Sequence, residues 1–403
     1  MTPIREECSV APTLFAPHTI RGVTLKNRIV LSPMLTYRAH EGHISDWHLI
    51  HLGKFAIGGA GLVFMESTKV DARGCTTAAD TGLWDDSFIE PLTHITRFIK
   101  RHGAVPGIQL SHSGRKARTS LPWEGRAPAE AERRPDGISP WELIAPSAIP
   151  HANGHPMPRE MTAADIKELV DAWGKAAARA HAAGFDVVEI HGAHGYLIHQ
   201  FLNPNANQRT DEYGGNLENR MRFAAEVAKS VRRSWPEDKP LFFRMSAIDN
   251  DGWEIEDSVA LAKLLRTMGV DVIDCTTGGM AITPVNASVR PLHYGYQVPH
   301  AERIRHKAEI ETMAVGLIIH AEQAEAILEQ GQADLIALGR EMLHNPNWPI
   351  DAAEKLGLKP SGAMVPDSYG YWLDKRNLSG IGAVPSTWRG GERTQTAKPS
   401  SGT

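Results

Sequence analysis

Short apolar runs rich in β-branched residues recur along the chain. They read RIVLSPM (28–34), GLVFMES (61–67), VPGIQLS (105–111), DVVEIHG (186–192), PLFFRMS (240–246), DVIDCTT (271–277), AVGLII (314–319) and LIALGR (335–340). Apolar character this continuous suits strands buried on both faces, as in a parallel sheet. Between them lie stretches of helical period, roughly 85–102, 162–184, 217–234, 257–268, 299–309 and 322–330. In the second of these Thr162 is placed to cap, Asp165 stands at the capping-box position and Gly184 ends the helix. Eight strands alternating with helices predict an α/β fold of the (β/α)8 barrel type. The competing arrangement is an open, doubly wound sheet, but no strand runs into a GxGxxG turn.

Three segments stand outside the alternation. Residues 13–25 alternate like a hairpin turned at Arg21–Gly22, suited to plug the bottom of the barrel. Residues 112–160, after the third strand, are dense in Pro, Arg, Glu and Trp, as a long lid or binding loop would be. With Trp123 and Trp141 this insert either shapes the substrate mouth or is a solvated surface loop. From 377 onward apolar periodicity fades, so a mobile tail is expected after one domain spanning 1–376.

Composition removes several function classes. The chain has 403 residues, 42% hydrophobic and 22% charged, the balance of an ordinary globular protein. A net charge of −4 gives no footing for nucleic acid or an anionic membrane as partner. No window approaches the roughly 18 apolar residues of a membrane span, and the first residues lack the apolar core of a signal peptide. Cys8, Cys75 and Cys275 are isolated. They form neither a disulfide framework nor a four-cysteine iron–sulfur site, and a reducing, cytoplasmic setting is expected.

In a barrel the chemistry sits at the C-terminal ends of the strands. That rule selects Pro33, Met34, Leu35 and Tyr37 after strand 1, Glu66 and Ser67 at strand 2, and Gln109 at strand 3. Strand 4 adds His191, His194 and Tyr196; strand 5 adds Arg244; strands 7 and 8 add Gly316, Gly339 and Arg340. A catalytic zinc needs about three converging ligands. Here strand 1 has no histidine, and no carboxylate ends strands 5 to 8. A Schiff-base enzyme needs a desolvated lysine, and only Lys69 and Lys116 lie near strand ends, each read as just past the strand in polar surroundings. A phosphate-bearing organic cofactor fits better. Glycines after strands 7 and 8 let backbone N–H groups approach an anion, and Arg340 supplies a cation. Gln109 and Arg244 could reach a planar heterocycle. Arg244 has no evident acidic partner in the sequence, which calls for an anionic or electron-rich ligand. Taken singly, Arg340 could be a surface residue and Gln109 a satisfied core amide; their joint placement favours the cofactor.

LKNRIVLSPM, GIQLSHSGRKA, EIHGAHGYLIHQFLNPNANQRTDEYGGNLENR and LIALGRE together resemble the old yellow enzyme family of FMN-dependent ene-reductases. The likeness is closest to the bacterial thermophilic-like, xenobiotic reductase branch, and it runs from about residue 12 to about 350. It implies a barrel holding FMN non-covalently, reduced by NADPH or NADH, that reduces the C=C bond of α,β-unsaturated carbonyl or nitro compounds. By the same resemblance Ser32, Pro33, Met34 and Leu35 line the flavin, and Ser67 and Gln109 bond its pyrimidine edge. Arg244 sits by its N1/O2 end, and Gly316, Gly339 and Arg340 hold the phosphate. His191 and His194 grip the substrate oxygen, His191 also lying against the flavin. Tyr196 protonates the alkene carbon, and Tyr37 closes the pocket. The chemistry is coherent: two N–H donors stabilise the charge that hydride addition leaves on oxygen, and a phenol delivers the proton. His199, beyond the strand end, is read as structural. A relative of the same fold acting as oxidase, demethylase or isomerase stays open.

Two departures stand out. The resemblance implies Cys or Thr, bonding near flavin O4, where this chain has Leu35. Thr36 is one position late and should point elsewhere. A lowered flavin reduction potential is therefore expected. Near the C-terminus, PDSYGYW (366–372) resembles a segment that inserts an arginine into a neighbouring subunit's site, implying a homo-oligomer, dimer or tetramer. The arginine is replaced by Tyr371, with Arg376 or Arg389 the nearest substitutes.

Overall fold

The computed structural model describes residues 11–128, 142–280, 293–358 and 361–378. A hairpin, β1 (His18–Ile20) with β2 (Val23–Leu25), opens the chain. Its turn is at Arg21–Gly22, where Arg21 bonds Asp271 at 2.7 Å and the Gly22 N–H donates to the Asp238 carbonyl. Eight parallel strands then close a barrel in the order β3 (Ile29–Leu31), β4 (Leu62–Lys69), β5 (Val105–Ser111), β8 (Val187–Gly192), β9 (Leu241–Ser246), β10 (Val272–Thr276), β11 (Glu311–Ala314) and β12 (Leu335–Leu338). The missing numbers belong to β6 (Ile144–Ala145) and β7 (Arg159–Glu160), which pair with each other inside the long insert. Residues 129–141 of that insert, Trp141 among them, lie outside the described residues.

Helices α1 (Asp46–Ile57), α2 (Ile89–Arg101), α3 (Ala163–Ala182), α4 (Leu197–Leu202), α5 (Leu217–Ser234), α6 (Ile255–Thr267), α7 (Val298–Ala308) and α8 (Ala321–Glu329) follow successive strands. After β12 come α9 (Arg340–His344), α10 (Trp348–Lys355) and α11 (Asp367–Leu378). The Thr162–Asp165 capping box is present on α3, and Gly184, at φ +85°, turns the chain away from it. The tail expected from 377 begins in the last turn of α11, and its remainder lies outside the described residues. Among the described residues no helix is long and apolar enough to cross a membrane.

Two expectations need correction. The seventh strand is Glu311–Ala314, not 314–319: the apolar run VGLII continues past the strand, but Gly316 (φ +111°) and Leu317 (φ +50°) leave extended geometry there. Helix α1 was absent from the periodicity reading. Its core face carries His48 and His51 beside Leu52, Phe55 and Ala56, and two buried histidines disguise an apolar stripe.

The barrel floor is a layer of inward side chains, among them Val30, Leu62, Phe64, Val187, Phe242, Val272, Met313 and Leu335, closed from below by Ile20 and Leu25 of the hairpin. Each such side chain contributes about 1.5–3 kcal/mol by leaving water. The top of β4 is different. Pairing with β5 slips between Met65 and Ser67, so Glu66 is a bulge. The extra residue reverses the alternation and turns Ser67 and Lys69 toward the barrel axis, where Leu62 and Phe64 point lower down.

Candidate functional site

Strand register assembles the upper layer of the barrel. Gln109 lies beside Glu189, and His191 beside Arg244, which in turn lies beside Asp274. Gln109 donates to Glu189 Oε1 at 2.8 Å. Arg244 Nη1 donates to Ser32 Oγ at 3.2 Å, and its Nε faces Asp274 Oδ2 at 3.1 Å without hydrogen-bond alignment. The acidic partner that Arg244 lacked in the sequence is therefore Asp274, mid-strand rather than at a strand end. Burial, then the Asp274 charge, pushes the Glu189 carboxyl well above its usual range. Burial raises Asp274 as well, and the two carboxyls share the one guanidinium of Arg244 in a dry interior.

Above this layer β8 runs into a tight turn. His191 ends the buried strand, His194 sits at φ +58°, and Tyr196 caps α4. The left-handed backbone of His194 is held from several sides. Lys116 Nζ donates to its carbonyl at 2.9 Å and to the Gly279 carbonyl, and the His194 N–H donates to Ser246 Oγ at 3.1 Å. Gly279 must be glycine, since a Cβ there would stand 2.3 Å from His194 Cα. Lys116 is itself depressed to about 7 by burial. Its bonds to two carbonyls give it a structural occupation in place of a Schiff base.

The ring protons follow from the bonding. The Ala193 N–H donates to His191 Nδ1 at 3.2 Å, so neutral His191 carries its proton on Nε2. That Nε2–H faces His194 Nδ1 at 3.3 Å, which leaves the His194 proton on Nε2, 3.1 Å from Thr276 Oγ1. Burial first, then neighbouring positive or imidazole groups, holds both rings well below the ordinary histidine range. Both are neutral donors at pH 7. The Tyr196 ring lies 4.9 Å from His191. His199 turns away, accepting from the Gly195 N–H and bonding Asp249 at 3.1 Å.

A cavity of about 340 Å³, in the range of small-ligand sites, opens beside these groups. Of the residues expected from the sequence, Ser32, Pro33, Met34, His194, Arg244, Gly316, Gly339 and Arg340 line it. Ser67, Gln109 and His191 are buried in the barrel top just beneath, while Leu35, Tyr37 and Tyr196 stand half-buried off its wall. Thr276, Thr277 and Gln297 also line it, unforeseen from the sequence. Gln297 ties Thr277 to the Val315 carbonyl and so fixes the Gly316 loop.

The fit of a flavin mononucleotide can be tested on these atoms. A Cβ at Gly316 would stand 2.4 Å from Gln297 Nε2, so that wall is built without side chain. Arg340 is exposed at the cavity and engages no carboxylate among the described residues. Arg244 Nε is buried without a hydrogen-bond acceptor. A glycine-walled, arginine-bearing end and a polar floor suit a phosphate and a carbonyl-rich ring. Leu35 adds no polar atom, Thr36 is engaged through its N–H by Glu66, and Thr36 Oγ1 is buried without a partner. Tyr37, at φ +56°, packs edge-on against Trp123 at 5.8 Å. At the C-terminus Tyr371 is exposed, Arg376 lies 4.0 Å from Glu354 of its own chain, and Arg389 falls outside the described residues.

The model of the NADH:flavin oxidoreductase / NADH oxidase family matches residues 13–359. An NADPH dehydrogenase of Geobacillus sp. (strain WCH70) is 47% identical over 355 residues, covering 87% of this chain and 96% of its own. Among solved structures, morphinone reductase superposes with a TM-score of 0.70 at 25% identity, over 87% of this chain and 91% of that one. The old yellow enzyme homologue of Zymomonas mobilis gives 0.68 at 26% identity, over 85% and 93%.

Proposed function

The chain belongs to the NADH:flavin oxidoreductase / NADH oxidase family, and from that footing we propose that it reduces activated C=C bonds. It is an NAD(P)H-dependent flavin oxidoreductase of the old yellow enzyme type, with FMN as cofactor. The substrates of this reading are α,β-unsaturated carbonyl or nitro compounds.

FMN, when bound, would supply the two-electron chemistry, hydride transfer from NADPH or NADH to the alkene β-carbon. The chain supplies the rest. Gly316, Gly339 and Arg340 would hold its phosphate, Ser32, Pro33 and Met34 would floor its ring site, and Arg244 would place positive charge beside it. His191 Nε2–H and His194 Nε2–H, now spent on His194 Nδ1 and Thr276 Oγ1, turn to the substrate oxygen and stabilise its developing charge. Tyr196 delivers a proton to the α-carbon. Tyr37 is a poorer acid, because burial, then Tyr196 and Asp80, push its phenol above the usual range. The observation that carries this reading is that one strand end offers two neutral imidazole donors and a phenol, with the His194 ring 5.1 Å and the Tyr196 ring 4.9 Å from the His191 ring.

NADPH consumption with 2-cyclohexenone as acceptor tests it, and saturable turnover to cyclohexanone is expected. An enzyme that oxidises NADPH yet leaves every activated alkene and nitro compound untouched would shift the assignment to an oxidase, demethylase or isomerase of the same fold. Leu35 adds a second expectation. Leu35→Cys restores a donor near the ring, so a redox titration should place the midpoint potential of the bound cofactor higher in the variant. Equal potentials would discard the idea.

A further inference from the structure

Lys69 is wholly buried inside β4, turned inward by the Glu66 bulge, and not past the strand in polar surroundings as the sequence suggested. Its Nζ donates to Ser67 Oγ at 2.9 Å and Ser113 Oγ at 3.2 Å, and it faces Asp80 Oδ2 at 3.5 Å. Ser113 Oγ lies 2.7 Å from Thr76 Oγ1, which donates to the Tyr196 hydroxyl at 3.4 Å. The same Nζ stands 4.9 Å from the centre of the Tyr196 ring. Ser113, Thr76 and Asp80 are buried as well. Asp80 also receives the Thr76 N–H at 2.6 Å, so the carboxylate that neutralises Lys69 fixes the backbone of the residue touching Tyr196.

The hydrogen bonds along this row of groups have one consistent sense. Thr76 Oγ1 spends its single proton on the Tyr196 hydroxyl, so in the Ser113–Thr76 bond Ser113 is the donor, and Ser113 accepts from the Lys69 ammonium with a lone pair. The Tyr196 proton is then the one left free to leave. A dry ion pair is costly to bury and is no stabiliser by default, so its placement behind a phenol calls for a further role. We propose that Lys69 is a positioning residue for the proton transfer, acting on Tyr196 through the hydroxyls of Ser113 and Thr76.

The proposal rests on the reading of Tyr196 as proton donor. In the step, the phenol O–H bond breaks as a C–H bond forms at the α-carbon. The charge left on the phenol oxygen meets the Thr76 O–H, with the Lys69 ammonium behind it. Water returns the proton to Tyr196 when product leaves.

The test uses the reduced holoenzyme, re-oxidised in single turnover by 2-cyclohexenone or by benzoquinone, whose oxygens take protons from water. Thr76→Val removes one link at constant volume, and Lys69→Met removes the charge. Each is expected to lower the cyclohexenone rate about 10-fold more than the quinone rate, a fraction of the roughly 10²–10⁴-fold that the general acid itself contributes. The solvent deuterium effect on the cyclohexenone reaction should rise, and Thr76→Ser should restore the wild-type ratio. In a Tyr196→Phe background Thr76→Val should add nothing. Equal slowing of both acceptors, or an undiminished Thr76→Val effect in that background, would overturn the proposal. Should Lys69→Met fail to fold, the Thr76 pair decides alone. Tyr196→Phe reducing cyclohexenone at the wild-type rate would instead remove the proton-donor reading on which the proposal stands.

Discussion

Tyr196→Phe is expected to slow re-oxidation by 2-cyclohexenone by about 10²–10⁴-fold, the usual worth of a positioned general acid. The physical reason lies in what the substitution removes. Phenylalanine keeps the ring that packs 4.9 Å from His191 and beneath Lys69, so the α4 terminus should stay in place. Only the hydroxyl goes, and with it the proton source on that side of the site. Tyr37, half-buried and held above its usual range, offers no substitute. Stopped-flow traces of the reduced enzyme with cyclohexenone would show the loss. Wild-type rates in the variant would mean that the proton comes from elsewhere, and the assignment of Tyr196 would fall.

Much of this cavity's lining is legible in the sequence, because a barrel confines chemistry to one end of its strands. Ser32, Met34, Arg244, Gly316, Gly339 and Arg340 all reach one cavity. What escaped the sequence escaped for definable reasons. Glu189 and Asp274 sit inside continuous apolar strands, where a single carboxylate looks like noise. Yet Glu189 is two residues before His191 and Asp274 two before Thr276, and strand alternation alone puts each pair on one face. Lys69 was legible as a lysine near a strand end, but its burial depended on the Glu66 bulge, which reverses the face of every later residue and leaves no mark in the local pattern. Helix α1 was hidden by buried histidines, and the seventh strand was displaced by an apolar run that the chain uses as a loop. Gln297 is brought to the cavity by the segment entering α7, a placement that only the closed fold decides.

His191→Ala and His194→Ala should each cost about 10²–10³-fold in alkene reduction, the range for a lost oxyanion donor. The double variant should be little worse than either single one. His191 points its proton at His194 Nδ1 and His194 passes its own to Thr276, so the two rings hold one another's tautomer and act as a unit. Full additivity would contradict that coupling. The same burial has a second, opposite-facing consequence. Both rings are held well below the range of an exposed histidine, mainly by burial. Below the unfolded value of about 6.5 the unfolded chain therefore binds more protons than the folded one. Stability contributed by the neutral pair is present above that pH and is lost as pH falls toward the folded values. The melting temperature of the wild type should consequently decline on acidification below about pH 6.5, and more steeply than that of the double alanine variant. Other buried histidines, His51 and His112, each lowered to about 4, remain in both proteins and cancel in the comparison. Alkene reduction should meanwhile show no imidazole titration between about pH 5.5 and 8, since neutral rings already carry the donors. Parallel melting curves, or a rate that follows an ordinary histidine pKa, would show that the pair is charged and that its tautomers are not those the hydrogen bonds dictate.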